Sequence, residues 1–112
     1  MASYDKAYEL ARELRSCQEY KEYQKAKGAI LANESAMGIL RDYQEKKMVF
    51  EMALLGGKAP DEAEREEMAK LTEIVSMHGE VGRFLEAEAR ILTVISDVQK
   101  ILVDAMNLLD YR

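Results

Sequence analysis

The sequence predicts an all-α fold, a helical bundle of four to five helices, on the basis of three observations. The 112 residues include one proline and six glycines, so few positions oppose helix formation. Alanine, leucine, glutamate, lysine and methionine, which favour helices, are abundant. Apolar residues recur at three- and four-residue spacing, and no stretch alternates with the two-residue period of a strand. We expect a single helical-bundle domain over residues 1–112.

The first two predicted helices occupy the chain up to about Leu31. Ser3 is a suitable N-cap for the first, which we expect to end near Arg15. Ser16 and Glu19 then match a capping box, in which the two residues satisfy free N–H groups at the start of the second helix. The pattern also permits one bent helix in place of two.

The next two helices are predicted to form a long helical hairpin over about residues 33–55 and 61–77. Asn33 is a suitable N-cap for the first of them, and Asp61 with Glu64 forms a capping-box pattern at the second. The only Gly-Gly pair and the only proline lie between them, in Gly56–Pro60, and predict the turn. The turn lacks the glycine spacing, the Ser/Thr and the preceding strand of a phosphate-binding loop.

Apolar spacing indicates the inner sides of the hairpin helices. The first carries a stripe of Met37, Leu40, Tyr43 or Gln44, Met48, Glu51 or Met52, and Leu55. Ile39, Phe50, Ala53 and Leu54 lie off that stripe, and a second apolar side implies a second neighbour. The inner side of the other helix is Met68, Leu71 and Ile74 or Val75. Gly79 is expected to end that helix in the left-handed conformation.

A long C-terminal helix is predicted from about residue 80 to residue 109, roughly 45 Å at 1.5 Å per residue. Two apolar stripes run side by side along it, one of them ending at Leu109, so more than one side should be covered. We expect this helix to be central in the bundle or shared with a second subunit. The candidate interaction residues come from these stripes and from the hairpin: Ile91, Val94, Ile95, Val98, Ile101, Leu102, Phe50 and Leu54.

The residue types present argue against an enzyme, a cofactor or a metal. His78 is the only histidine, which excludes the usual di-iron bundle with two Glu-x-x-His pairs. Cys17 is the only cysteine, which excludes an internal disulfide framework and a cysteine-based zinc site. A reducing, cytoplasmic setting is therefore expected. No catalytic, cofactor-binding or metal-binding residue is predicted.

Charge and hydropathy exclude two further classes of partner. The formal net charge is −5, and the acidic excess lies in residues 56–112, mostly just after the predicted turn. Direct binding to nucleic acid is not expected, because phosphate contacts require Lys and Arg. No membrane association is expected either. The C-terminal apolar run Ile91–Ser96 is far shorter than the ~20 residues of a spanning helix.

Polar residues near the inner stripes define an alternative function, a small-ligand or metal-binding bundle with or without catalytic activity. These residues are Tyr43, Gln44, Lys47, Glu88 and Gln99. A binding site would require their side chains to converge inside the bundle. A buried hydrogen-bond network or an interface rim is the preferred interpretation.

Short segments along almost the whole chain also resemble a known family. They include Tyr4-Asp5-x-Ala7, Asn33-Glu34-Ser35 and the most specific block, His78-Gly79-x-Val81-x-x-Phe84-Leu85-x-Ala87-Glu88. In this order they resemble the small bacterial YlbF/YmcA/YheA family of all-helical regulators, and most closely its YheA branch.

The resemblance implies a self-associating helical bundle, a homodimer or higher homo-oligomer, with protein partners in a regulatory complex. Some members act in a cytoplasmic complex that adjusts an endoribonuclease and so affects RNA processing, competence, sporulation and biofilm formation. Those members use additional cysteines in an iron–sulfur complex, which this chain, with Cys17 alone, does not match. The predicted function is a non-enzymatic, self-associating protein-interaction module with a regulatory role.

Overall fold

A computed structural model of the chain describes residues 1–108 and confirms the all-α prediction. No residue in that range forms a strand. Five helices follow one another along the chain: α1 (Ala2–Arg15), α2 (Gln18–Leu31), α3 (Glu34–Leu55), α4 (Glu62–Met77) and α5 (Gly79–Met106). The predicted hairpin, α3 with α4, and the predicted long C-terminal helix are therefore both present. Leu109, at the predicted end of that helix, lies outside the described residues.

The junction between α1 and α2 consists of Ser16 and Cys17, so the alternative of one bent helix is wrong. The predicted capping box at Ser16 is also wrong. Ser16 has φ −96° and ψ −5° and ends α1, with its N–H donating to the Glu13 carbonyl. An N-cap requires an extended backbone, which Ser16 does not have. Ser3 is not an N-cap either, because α1 begins at Ala2 and its N-cap is Met1.

Both predicted N-caps of the hairpin are confirmed. Asn33 is extended (φ −127°, ψ 102°), and its side-chain oxygen accepts a hydrogen bond from the Ala36 N–H at 3.1 Å. Asp61 is extended (φ −72°, ψ 173°), and its carboxylate accepts from the Glu64 N–H at 2.8 Å. Each side chain satisfies one of the N–H groups that have no partner inside the helix.

The turn after α3 is built on the Gly-Gly pair. Gly57 has φ +79°, which favours glycine because it has no Cβ. The Lys58 N–H donates to the Ala53 carbonyl at 3.0 Å, and the Gly57 N–H donates to the Leu54 carbonyl at 3.3 Å. This pair of hydrogen bonds is the Schellman motif, which satisfies the last carbonyls of a helix.

The junction between α4 and α5 is the single residue His78, with φ −71° and ψ 122°. The predicted stop at Gly79 is wrong, since Gly79 is the first residue of α5 and Gly57 is the only positive-φ glycine in residues 1–108. His78 ends one helix and caps the next, because its Nδ1 accepts a hydrogen bond from the Val81 N–H at 3.4 Å. One extended residue is therefore sufficient to redirect the chain.

Contacts cluster in two units, and each is described by itself. The first unit contains residues 1–25 and the described chain from Glu86 onward, and the second unit is Ala26–Leu85. In the first unit, Ala87 and Ile91 are buried. The buried apolar residues of the second unit are Ile30, Ala36, Leu40, Tyr43, Val75, Val81 and Phe84. The organisation of the chain as one domain stays a prediction.

The apolar stripe predicted for α3 is only partly internal. Leu40 and Tyr43 are buried and Phe50 is half-buried, but Met48 and Met52 are exposed. Met48 follows Tyr43 by five residues, a rotation of about 140° around the helix axis. The predicted stripe therefore moves to the outer side in the second half of α3. On α4 the structure selects Val75 over Ile74 as the buried residue.

Candidate functional site

The second half of α5 exposes large apolar side chains in the first unit. We define the α5 apolar surface as the exposed members of this group: Leu92, Ile95, Ile101, Leu102 and Met106. Ile101 is 66% exposed and Leu102 is 55% exposed. Ile91 is buried, and Val94 and Val98 are half-buried. Three of the six interaction residues predicted on α5 therefore lie on the exposed surface, and the other three lie inward of it.

The exposure of Leu102 follows from its position along α5. Ile91, Val94 and Val98 recur at three- and four-residue spacing and form the inner face of this half of the helix. Leu102 is the next position on the same face, yet more than half of its side chain is exposed. The inner face of α5 thus continues past Val98 without full cover. Large uncovered apolar areas on soluble proteins are usually interaction surfaces.

The hairpin in the second unit carries a groove along one side of α3 and α4. Two adjoining depressions of about 380 Å³ and 250 Å³ form it, and they share Lys46 and Leu71. We call this the hairpin groove. Its α3 side is lined by Ile39, Asp42, Tyr43, Lys46, Val49 and Phe50, and its α4 side by Glu64, Glu67, Met68, Leu71, Ile74, Val75 and His78.

The groove exposes apolar surface along much of its length. Val49 is 70% exposed and Ile74 is 68% exposed. The hairpin residues predicted to interact are Phe50, which is half-buried and lines the groove, and Leu54, which is exposed outside its lining. Ile39, which lines the groove, belongs to the predicted second apolar side of α3, whereas Val49 and Ile74 were not predicted as surface residues. Their three- and four-residue spacing with the other lining positions was the available signal.

Three of the five polar residues of the alternative function are exposed. Tyr43 lines the hairpin groove, and its hydroxyl lies 3.4 Å from the hydroxyl of Thr72. The side chains of Gln44 and Lys47, in the same unit, are exposed. Gln99 is exposed and Glu88 is half-buried, both in the first unit. Within residues 1–108, the hydrogen bond between the Tyr43 and Thr72 hydroxyls is the part of the expected network that the structure shows.

Two other kinds of site were considered within residues 1–108. No group of three or more His, Cys, Asp or Glu side chains in that range is arranged to hold a metal ion. None of the described helices combines the length and the hydropathy that are needed to cross a bilayer. The candidate binding surfaces among the described residues are the α5 apolar surface and the hairpin groove.

Comparison with known proteins identifies relatives over nearly the whole chain. A family model described as "Control of competence regulator ComK, YlbF/YmcA" matches residues 3–107. A UPF0342 protein of Halothermothrix orenii is 30% identical, over 96% of this chain and 92% of its own length. A UPF0342 protein of Symbiobacterium thermophilum is 32% identical, over 93% of each chain.

A solved structure shares the fold. It is described as "Protein of Unknown Function (DUF964) from Bacillus stearothermophilus", and it matches with a TM-score of 0.83 over 99% of this chain and 97% of its own. Its sequence identity is 16%, so it supports the architecture alone. The resemblance seen in the sequence is confirmed at the level of the family, and placement in the YheA branch stays a prediction. Because the family model covers residues 3–107, the chain belongs to the YlbF/YmcA family.

Proposed function

We propose that the protein is a non-enzymatic, self-associating protein-interaction module with a regulatory role in the cytoplasm. The α5 apolar surface is the observation that carries this proposal. Its five large apolar side chains are exposed in the isolated chain, where they are in contact with water. Burying them against another protein surface removes that contact, and apolar burial is the main driving force of association.

The magnitude of this driving force favours a reversible interaction. The five side chains are 37–66% exposed, so burial of their remaining exposed area contributes roughly 4–8 kcal/mol. Association costs about 4–15 kcal/mol in lost translational and rotational freedom. The two ranges overlap, so the α5 apolar surface alone supports weak association. A stable oligomer requires additional buried surface elsewhere on the chain.

The regulatory part of the proposal is supported by family membership. The family is described through the control of a competence regulator, and its matched region is almost the whole of this chain. A protein that acts by binding requires exposed surfaces of the kind seen on α5 and on the hairpin. The family description refers to control and names no catalytic activity.

Sedimentation equilibrium over a range of micromolar concentrations tests the proposal. We expect the wild-type chain to have an average mass above that of the 12.8 kDa monomer and to dissociate on dilution. The double variant Ile101→Glu with Leu102→Glu should have a lower average mass, because burying unpaired carboxylates costs several kcal/mol. Both positions are exposed, so the fold of the variant should be retained.

Lys100→Glu is the matched control. It changes the net charge by the same two units at an exposed position about 160° around the helix from Leu102, and it should leave the mass distribution unchanged. A wild-type chain that stays monomeric through the whole concentration range would contradict the proposed self-association. An unchanged mass for the double variant would contradict the role assigned to the α5 apolar surface.

A further inference from the structure

We propose that the hairpin groove binds the same groove of a second copy of the chain. In this arrangement the two hairpins are antiparallel and related by a two-fold axis at the level of Leu71. The inference rests on the self-association proposed above and assigns it a second surface, distinct from the α5 apolar surface. It is carried by the positions and charges of the groove residues.

The α4 side of the groove is symmetric about Leu71. Glu64 and His78 lie seven residues to either side of it, and Met68 and Ile74 lie three residues to either side. A two-fold axis perpendicular to α4 at this level places Leu71 against Leu71 of the second copy. It also places Glu64 against His78, a pair that occurs twice. On the two sides of Leu71, Met68 lies beside Val75 of the second copy and Glu67 lies beside Ile74, because these residues share a side of the helix. Glu64 thus meets a hydrogen-bond donor and Met68 meets an apolar side chain.

The same axis has a definite position on α3. The hydroxyls of Tyr43 and Thr72 lie 3.4 Å apart, so these two residues are at the same height in the hairpin. The helices are antiparallel, since the start of α3 lines the groove with the end of α4. Because the helices run in opposite directions, the residue after Tyr43 on α3, Gln44, lies at the same level as the residue before Thr72 on α4, Leu71. The axis at Leu71 therefore crosses α3 at position 44.

The α3 lining residues also pair about that position. Asp42 and Lys46 lie two residues to either side of it, and Ile39 and Val49 lie five residues to either side. Each Asp42 then faces Lys46 of the second copy, and each Ile39 faces Val49. The axis was located from α4 and from the Tyr43 contact, so the charge match on α3 is an independent observation. Complementary charges of this kind fix the register of an interface.

His78 has the hydrogen-bonding capacity that this pairing needs. Its Nδ1 accepts a hydrogen bond from the Val81 N–H, so the hydrogen of the neutral ring is on Nε2. An Nε2–H group can donate to the carboxylate of Glu64 from the second copy. His78 is only partly buried, which leaves the ring accessible from the groove.

The acidic start of α4 disfavours the parallel arrangement of the two hairpins. Five of the seven residues from Asp61 to Glu67 are acidic and one is basic. A two-fold axis along the helices places both acidic segments at the same end of the assembly, where like charges repel. The antiparallel arrangement separates them by the length of the groove, about 21 Å for the fourteen-residue step from Glu64 to His78.

Disulfide cross-linking of the full chain tests the proposed register. In a Cys17→Ser background, the Leu71→Cys variant places a thiol on the axis, and mild oxidation at dilute concentration should convert most of the chains to covalent dimers. Glu64→Cys and His78→Cys chains should cross-link much more when mixed than when oxidised separately. Glu73→Cys is the matched control, because Glu73 is exposed on α4 outside the groove lining and should remain monomeric on denaturing gels.

Charge exchange provides a second measurement on the same interface. Asp42→Lys and Lys46→Asp should each weaken association by about tenfold or more, and the double exchange should restore it. Association of the wild type without a cross-link at position 71 would overturn the register and assign the groove to another occupant. A wild-type chain that is monomeric in sedimentation would overturn the self-association itself, so the two failures are distinguishable.

Discussion

The side-chain amide of Asn33 donates a hydrogen bond to a carboxylate oxygen of Glu80 at 3.0 Å, while its carbonyl oxygen accepts from the Ala36 N–H. One side chain therefore caps α3 and ties the first turn of α3 to the first turn of α5 within the second unit. The contact joins residues that are 47 positions apart in the chain. It is partly buried, so water competes with it less than at an exposed site.

We expect Asn33→Ala to lower the free energy of unfolding by about 1–3 kcal/mol, because it removes the cap and the donor to Glu80. Asn33→Asp should also destabilise the chain, since it keeps the cap but places a second carboxylate beside Glu80. Adding Glu80→Gln to Asn33→Asp should recover stability by supplying a new amide donor. Urea denaturation measures all three. Equal stability of Asn33→Asp and the wild type would contradict the importance of the Glu80 contact.

Gly82 lies so close to Ser76 that a Cβ at position 82 would overlap the Ser76 carbonyl oxygen. We expect Gly82→Ala to destabilise the chain by about 1–3 kcal/mol, because the single-residue junction at His78 leaves little room to adjust. Gly38→Ala is the control, since a Cβ at that helical position meets no atom within 4 Å. It should stabilise the chain by about 0.5–1 kcal/mol. Thermal unfolding followed by circular dichroism measures both changes, with a lower melting temperature expected for Gly82→Ala and a higher one for Gly38→Ala.

Two isoleucines allow the same substitution in opposite environments. Ile30 is 2% exposed and Ile101 is 66% exposed. We expect Ile30→Ala to cost about 2–5 kcal/mol of unfolding free energy, through lost burial and a cavity. Ile101→Ala should change it by less than about 0.5 kcal/mol at a concentration where the chain is dissociated. A larger effect of Ile101→Ala that grows with concentration would report burial in an assembly instead.

Arg90 forms ion pairs with Glu22 and Glu86 in the first unit. All three side chains are 42–63% exposed, so solvent and salt weaken the attraction. We expect Arg90→Met to change the free energy of unfolding by less than about 1 kcal/mol. Urea denaturation at low and high salt checks this, with the larger effect expected at low salt. A salt-independent loss of several kcal/mol would show that Arg90 has a packing role instead.

The helices and the hairpin were predictable because they depend on local properties of the chain. Asn33 and Asp61 each precede a helix and supply an acceptor, and both are N-caps in the structure. Ser16 has the same chemical capacity, but its hydroxyl donates to the Arg12 carbonyl at the end of α1. The sequence shows which residues can cap, whereas the backbone conformation decides whether they begin a helix or end one.

The exposed apolar surfaces were less predictable, because periodicity gives relative angles around a helix and does not say which side meets a neighbour. Ile74 and Val75 fitted the inner side of α4 equally well, and only packing against α3 decides that Val75 is buried. Asn107 was missed as the end of α5. It has φ +52°, and its N–H and that of Leu108 bond back to Asp104 and Val103, as in a Schellman motif. Asparagine tolerates that conformation better than most residues do.

The positive φ of Gly57 has a consequence for handedness. At this φ the Cβ of an L-residue comes too close to the carbonyl oxygen of the same residue, so Gly57→Ala should destabilise the hairpin by about 1 kcal/mol. A D-alanine introduced by chemical ligation suits the same backbone and removes freedom from the unfolded chain, so it should stabilise the protein by about 0.4–1 kcal/mol. The backbone of this turn therefore suits a D-amino acid. Ribosomal synthesis supplies only L-amino acids and the achiral glycine, so glycine is the residue that fits here. Its greater conformational freedom in the unfolded chain is the stability cost of that choice.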